Sequence, residues 1–266
     1  MAGVAAASTR FELGRVIERT FASIVRNFAV FALLALLLAG IPAALTGGLL
    51  ALASTGATST PVAAGDTGLV AIGASAFSIT FFVGAIAAFV LRGAIVYGAV
   101  ADLNGRRASL GECLSTGLRH VGWLFLLAIV VTVAEVCGYI LLIVPGLMML
   151  TAWIVAVPAQ VVERTGVFGA MQRSADLTRG HRWPIFGLMV IFVLGSGLVQ
   201  GVAAAATAPL VAASATTGQV VSQVVIQPLA TTLTALVAAV GVASIYFELR
   251  SAREGIGPEA LAAVFD

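Results

Sequence analysis

The sequence predicts an all-α integral membrane protein: six transmembrane helices, three cytoplasmic amphipathic helices at the interface, and a threefold pseudo-repeat of helical hairpins, all in one membrane domain over residues 1–266. Three observations carry this. First, 60% of the 266 residues are hydrophobic and 10% charged, with a mean hydropathy of +1.09. A soluble domain carries about 25% charged residues, so this chain could not cover its apolar surface in water. Second, six stretches approach the ~20 apolar residues that cross a bilayer. Third, the chain has 14 arginines and no lysine, and all but Arg92 fall in four clusters separated by apolar stretches. A net charge of +2 is too small an excess for a nucleic-acid partner.

The elements follow in order. An amphipathic helix is expected over 9–26, opened by the capping box Thr9-Arg10-Phe11-Glu12 and carrying Leu13, Ile17, Phe21, Ile24 and Phe28 along one face. In such a box the Thr oxygen and the Glu carboxylate satisfy two orphan amides at the helix start. The spans are 28–52, 69–101, 121–144, 147–162, 184–205 and 224–247, followed by a cytoplasmic tail, 248–266. A cleaved signal peptide is the rival reading of the first span. Four arginines and about 26 residues precede it, and the rest of the chain is equally apolar, so a retained helix is expected. The second span is too long to cross perpendicular to the bilayer and must tilt or project into water. Val144-Pro145-Gly146 is expected to turn the third span into the fourth.

Arginine placement sets the orientation. Arg10, Arg15, Arg19 and Arg26 precede span one. Arg106, Arg107 and Arg119 lie between spans two and three, and Arg164, Arg173, Arg179 and Arg182 between four and five. Arg250 and Arg253 follow span six. The opposite loops hold no basic residue, so both termini are expected in the cytoplasm. Alanine, glycine and valine richness without lysine suggests a GC-rich bacterial genome, hence a bacterial inner membrane.

The cytoplasmic segments repeat. A second box, Ser109-Leu110-Gly111-Glu112, opens an amphipathic stretch with Leu110, Cys113, Leu114, Gly117, Leu118 and Val121 on one face. A third stretch, 167–178, places Val167, Ala170, Met171 and Ser174 together. Each leads into a span through a polar and aromatic junction containing Arg26-Asn27-Phe28, Arg119-His120 or His181-Arg182-Trp183. Pro184 suits a first helical turn, where its missing amide hydrogen costs nothing. Each even-numbered span ends in an acid: Asp102, Glu163 and Glu248. An acid at a helix C-terminus opposes the macrodipole, so each should meet an arginine from a neighbouring amphipathic helix.

Few residues offer chemistry. Arg92 and Glu135 are the charged residues inside apolar spans, where ionisable groups are costly and often functional. Glu135 is read either as a proton or cation site or, as the preferred expectation, as a neutral acid bonded to a neighbouring helix. Arg92 is expected to snorkel toward the cytoplasmic interface. Gln160, Gln200, Gln223 and Gln227 either line a pathway or bond between helices. Small residues at four-residue spacing (Gly197 and Gly201; Gly84 and Ala88; Ala235, Ala239 and Ala243) indicate close helix packing, within the chain or between copies. Cys113, in a polar stretch, and Cys137, in an apolar one, are not expected to pair. No metal or nucleotide motif occurs, so neither catalytic residues, nor a metal, nor a cofactor are expected. A charge cluster of Glu163, Arg173, Asp176, Arg179, Arg182, Glu248 and Arg250 is expected, with Arg173 and Asp176 close enough to pair. It is read as structural pairing or, alternatively, as a lipid-headgroup site.

A string of residues in the third polar segment is familiar: Pro158, Glu163, Gly166, Ala170-Met171, Arg173-Ser174, Leu177-Thr178, Gly180 and Trp183. Tyr246-Phe247-Glu248-Leu249-Arg250, Arg253-Glu254-Gly255 and Val144-Pro145-Gly146 extend it. The whole chain thereby resembles the membrane domain associated with bacterial glycerophosphoryl diester phosphodiesterases, including its stand-alone branch without the catalytic barrel. The resemblance implies a multi-helix inner-membrane domain linked to lipids or envelope and transfers no catalytic residue. The expected function is a non-enzymatic, lipid-interacting or envelope-associated scaffold. Its expected partners are membrane lipids and either a second copy or another membrane protein. The alternative is a small transporter or permease with a polar route near Glu135.

Overall fold

The computed structural model describes residues 13–59, 67–141 and 143–254, and every secondary-structure element among them is helical. Helix α1 (Leu13–Arg26) ends at Asn27, whose side-chain amide donates to the Ser23 carbonyl at 3.2 Å. The first span is continuous from α2 (Phe28–Ala35) through a π-helical turn (Leu36–Gly40) into α3 (Ile41–Ser59). Next come α4 (Thr67–Leu103), α5 (Leu110–Leu141), α6 (Ile143–Trp153) and α7 (Ala156–Glu163). The remainder is α8 (Gly166–Thr178), α9 (Arg182–Ala213), α10 (Ala215–Val221), a second π-helical turn (Ser222–Ile226) and α11 (Gln227–Glu254). Among the described residues six helices are long and apolar enough to cross a membrane, as a multi-pass membrane protein requires.

Local geometry follows the residue types at several points. Ser109 and Glu112 form the reciprocal box: the Ser109 amide donates to Glu112 Oε2 at 2.9 Å and the Glu112 amide to Ser109 Oγ at 3.3 Å. Gly166 and Gly180 take the positive φ that their turns require, +79° and +88°, a region closed to most side chains. Pro184 lies in the first turn of α9. The box at Thr9–Glu12 lies outside the described residues.

Other boundaries differ. The second amphipathic stretch and the third span are one unbroken 32-residue helix, α5. Neither Arg119-His120 nor Gly122 breaks a helix whose backbone amides are paired throughout, so the threefold repeat is not matched by three separate interfacial helices. Cys113 is accordingly a buried helical residue rather than a loop one, and both cysteines are free. Val144-Pro145-Gly146 starts α6 instead of forming the turn; a proline near a helix start has no amide bond to forfeit. The fourth span is split between α6 and α7 at Ile154-Val155, α9 runs to Ala213, and α11 continues through the expected tail to Glu254.

The main core lies toward the arginine-rich end. Phe31 and Leu34 of the first span, Ile95 and Val96 of α4, Leu124 of α5 and Ile185 of α9 meet Val240, Tyr246 and Leu249 of α11, all buried. Glycine permits a close crossing between α4 and α5. A Cβ on Gly117 would lie 2.5 Å from the Val90 carbonyl oxygen and 3.2 Å from Ala94 Cβ. By contrast, α9 shows Val193, Leu194, Leu198 and Val202 to the outside, each more than half exposed. In a bilayer that is an ordinary lipid-facing surface.

Candidate functional site: the arginine-rich end

Helix α1 organises this end through three stripes. Val16, Thr20, Ser23 and Ile24 are buried against the bundle. Ile17, Phe21 and Val25 stand out from it, with Phe28 continuing the line at the start of α2. Arg15, Arg19 and Arg26 form the third stripe, facing the ends of α4 and α11. The 3.6-residue helical period sorts the residues in this way. The expected face of Leu13, Ile17, Phe21, Ile24 and Phe28 is therefore divided, because Ile24 turns inward and the others outward.

The arginine stripe supplies the partners that two helix-terminal acids need. Arg15 Nη1 lies 3.4 Å from Glu248 Oε1, and Arg19 pairs with Glu248 Oε2. Arg19 also lies over the Phe247 ring, 5.2 Å from its centre. Arg26 Nη2 reaches Asp102 Oδ2 at 2.7 Å, and its Nε lies 3.3 Å from both carboxylate oxygens. The hydrogen bond to Asp102 raises the Arg26 guanidinium above its ordinary value against the opposing effect of burial, and the Asp102 charge adds to it.

Beside these pairs lies a cleft of about 460 Å³ lined by Arg19, Arg26, Asp102, Arg106, Arg107 and Phe247, together with Leu103 and Gly105. Gly105, at φ +75°, turns the chain out of α4 so that Arg106 and Arg107 reach the rim. Both are exposed and have no ion-pair partner among the described residues. Four arginines thus face a cleft lined by one acid.

The expected cluster in the third polar segment is only partly assembled. Arg173 Nε donates to both oxygens of Glu163, at 2.9 and 2.8 Å, and its other end pairs with Glu254. Tyr246 donates its hydroxyl to Glu163 Oε1 at 2.7 Å, and Arg250 pairs with Glu254 at 2.7 Å. Burial works to lower the Arg173 guanidinium, but its bonds to Glu163 and Glu254 prevail and raise it. Glu248 is a correction, since it belongs to the α1 arginines. The expected Arg173–Asp176 pair is another: Asp176 is exposed while Arg173 is engaged elsewhere. Arg179 is exposed, and its carbonyl accepts from Arg253. Arg182 is half-buried at the start of α9, with an Nε that meets no acceptor. Sequence reasoning missed Arg15, Arg19, Tyr246 and Glu254 as cluster members. Their i, i+4 spacings were legible, but their partners are remote in sequence.

Inside the spans, Arg92 is exposed on α4 with its guanidinium 5.8 Å from the Phe89 ring centre. Glu135 is half-buried on α5 and does not line the arginine cleft. The glutamines do not converge. Gln160 is buried in α7, with an Oε1 that meets no donor; Gln200 lies on the outer helix α9; Gln223 and Gln227 share a groove with the first span. His120 Nδ1 lies 2.8 Å from the Thr116 carbonyl oxygen, and His181 precedes α9.

No curated protein and no solved structure matches this chain. A family model matches residues 2–248, nearly all of it, and nothing in that match links the chain to glycerophosphoryl diester phosphodiesterases. The chain therefore belongs to the family described as a domain of unknown function, DUF7847.

Proposed function

We propose that this protein is a non-enzymatic, lipid-interacting scaffold domain of a bacterial inner membrane, with both termini in the cytoplasm, that holds anionic lipid headgroups at its cytoplasmic face. The arginine cleft carries the reading. Arg19 and Arg26 are committed to carboxylates, while Arg106 and Arg107 are not, which leaves net positive charge around a headgroup-sized space. Basic pockets between membrane helices bind lipid phosphates in this manner. The outward stripe of Ile17 and Phe21, on the same helix as two of the cleft arginines and continued by Phe28 at the start of α2, suits the acyl region below the headgroup.

The test is native mass spectrometry of protein purified in detergent and exposed to equal amounts of phosphatidylglycerol and phosphatidylcholine. Phosphatidylglycerol should be retained preferentially. Arg106→Gln with Arg107→Gln should reduce that preference by about tenfold or more, since each basic residue near an anionic surface is worth about 1 kcal/mol. Equal retention of both lipids by the parent protein would refute the reading. Displacement of the lipid by inorganic phosphate alone would assign the cleft to a soluble anion instead.

A further inference from the structure

The first and last spans carry the same unusual device. In the first, the π-helical turn Leu36–Gly40 is followed by Ile41-Pro42 and, four residues later, by Thr46. In the last, the π-helical turn Ser222–Ile226 is followed by Gln227-Pro228 and then by Thr232. Proline explains both turns. Pro42 and Pro228 have no amide hydrogen to give the carbonyls four residues back, on Leu38 and Val224, and their rings crowd those carbonyls. The amides of Ile41 and Gln227 bond five residues back instead, to Leu36 and Ser222. The threonines close the device identically, each donating its hydroxyl to the proline carbonyl, at 2.8 and 2.7 Å. π-helical turns occur frequently at functional sites.

The two breaks meet. The spans run antiparallel, and a Cβ on Gly40 would lie 2.7 Å from Thr232 Oγ1. Gly47 packs against the backbone carbonyl of Gln223. Between them, with α4 as the third wall, lies a groove of about 440 Å³ lined by Leu38, Pro42, Gly84, Gln223, Gln227 and Thr231 among others, none of them charged. That volume is in the range of small-ligand sites, about 300–1,000 Å³. Leu50, on its edge, is 49% exposed, so the groove opens on the outer surface of the bundle. The side-chain amides of Gln223 and Gln227 find no hydrogen-bond partner among the described residues. Gln227 lies 21 residues before Glu248 on the same helix, about 31 Å away at 1.5 Å per residue. The two glutamines are therefore well separated from the arginine cleft.

We propose that this groove binds an uncharged amphiphile from the bilayer: an apolar chain bearing a neutral ester, amide or hydroxyl group that bonds to Gln223 and Gln227. An amide both donates and accepts, so it suits a neutral group. In hydrocarbon an unmade amide bond is expensive. The apolar walls accept the chain and the lateral opening admits it without passage through water. The proposal does not depend on the headgroup reading, because it shares no residue with the arginine cleft.

Two photoreactive probes of equal chain length test it in protein reconstituted in phosphatidylcholine nanodiscs: a diazirine-bearing monoacyl ester and a diazirine-bearing alkane. The ester should label peptides containing Leu38–Leu50 and Gln223–Thr231 in preference to the alkane. Gln223→Leu with Gln227→Leu should reduce ester labelling there about fivefold to tenfold, the equivalent of two intramembrane hydrogen bonds, and leave alkane labelling unchanged. Ala43→Phe, which narrows the groove without touching either amide, should reduce both. Equal labelling by the two probes in the parent protein would overturn the proposal, whether or not the variants fold. Ester labelling that survives the double glutamine replacement would overturn it as well.

Discussion

Glu248 is 2% exposed, the most deeply buried of the ion-paired carboxylates described, and two arginines of α1 hold it from the far end of the sequence. Replacing Arg15 and Arg19 together by glutamine strands that carboxylate. Removing the partner of a buried charge costs about 3–5 kcal/mol. Here the arginine side chains are 29% and 25% exposed, and partial screening by water places the cost near the lower figure, about 3 kcal/mol. Adding Glu248→Gln removes the stranded charge and leaves a buried amide with incomplete bonding, a penalty of about 1–2 kcal/mol. The triple variant should therefore be more stable than the double one, though it carries one more substitution. Detergent-solubilised protein unfolded by increasing sodium dodecyl sulfate, followed by circular dichroism, would rank the parent, double and triple variants. A triple variant no more stable than the double, or a double indistinguishable from the parent, would refute the argument that burial of Glu248 makes α1 a structural clamp.

Other outcomes can be checked in the same way. Glu248→Gln and Arg173→Gln should be additive within about 0.5 kcal/mol in that assay, because the residues share no partner and belong to separate networks. Gly117→Val should destabilise by at least about 1–3 kcal/mol, because the Val90 backbone cannot retreat from the new atoms, whereas Gly122→Ala, with nothing within 4 Å of its Cβ, should be close to neutral. Glu135→Gln should preserve folding and lipid retention. A folded Glu135→Gln protein that loses proton-dependent uptake or export in cells would favour the transporter reading instead. In a background lacking Cys113 and Cys137, Thr216→Cys should react with an impermeant thiol reagent added to intact spheroplasts and Thr165→Cys should not; labelling at Thr165 would reverse the orientation.

The reach of sequence reasoning follows the range of the interactions. Span number and the arginine-rich ends of the spans depend on local composition, and the bilayer selects apolar runs of fixed length. The Ser109–Glu112 box and the turns at Gly166 and Gly180 are equally local, since the residues that make each lie within a few positions of one another. The need of Asp102, Glu163 and Glu248 for arginine partners was also legible, because a carboxylate at a helix C-terminus opposes the macrodipole. Which arginine answers which acid was decided only by tertiary structure. Arg19 and Glu248 are 229 residues apart, Arg26 and Asp102 are 76 apart, and no periodicity within one helix registers a crossing between two. The same limit hid the groove. Pro42 and Pro228 each announce a break in their own helix, but the convergence of the two breaks depends on the antiparallel packing of the first span on the last, with Gly40 and Gly47 allowing the backbones to approach.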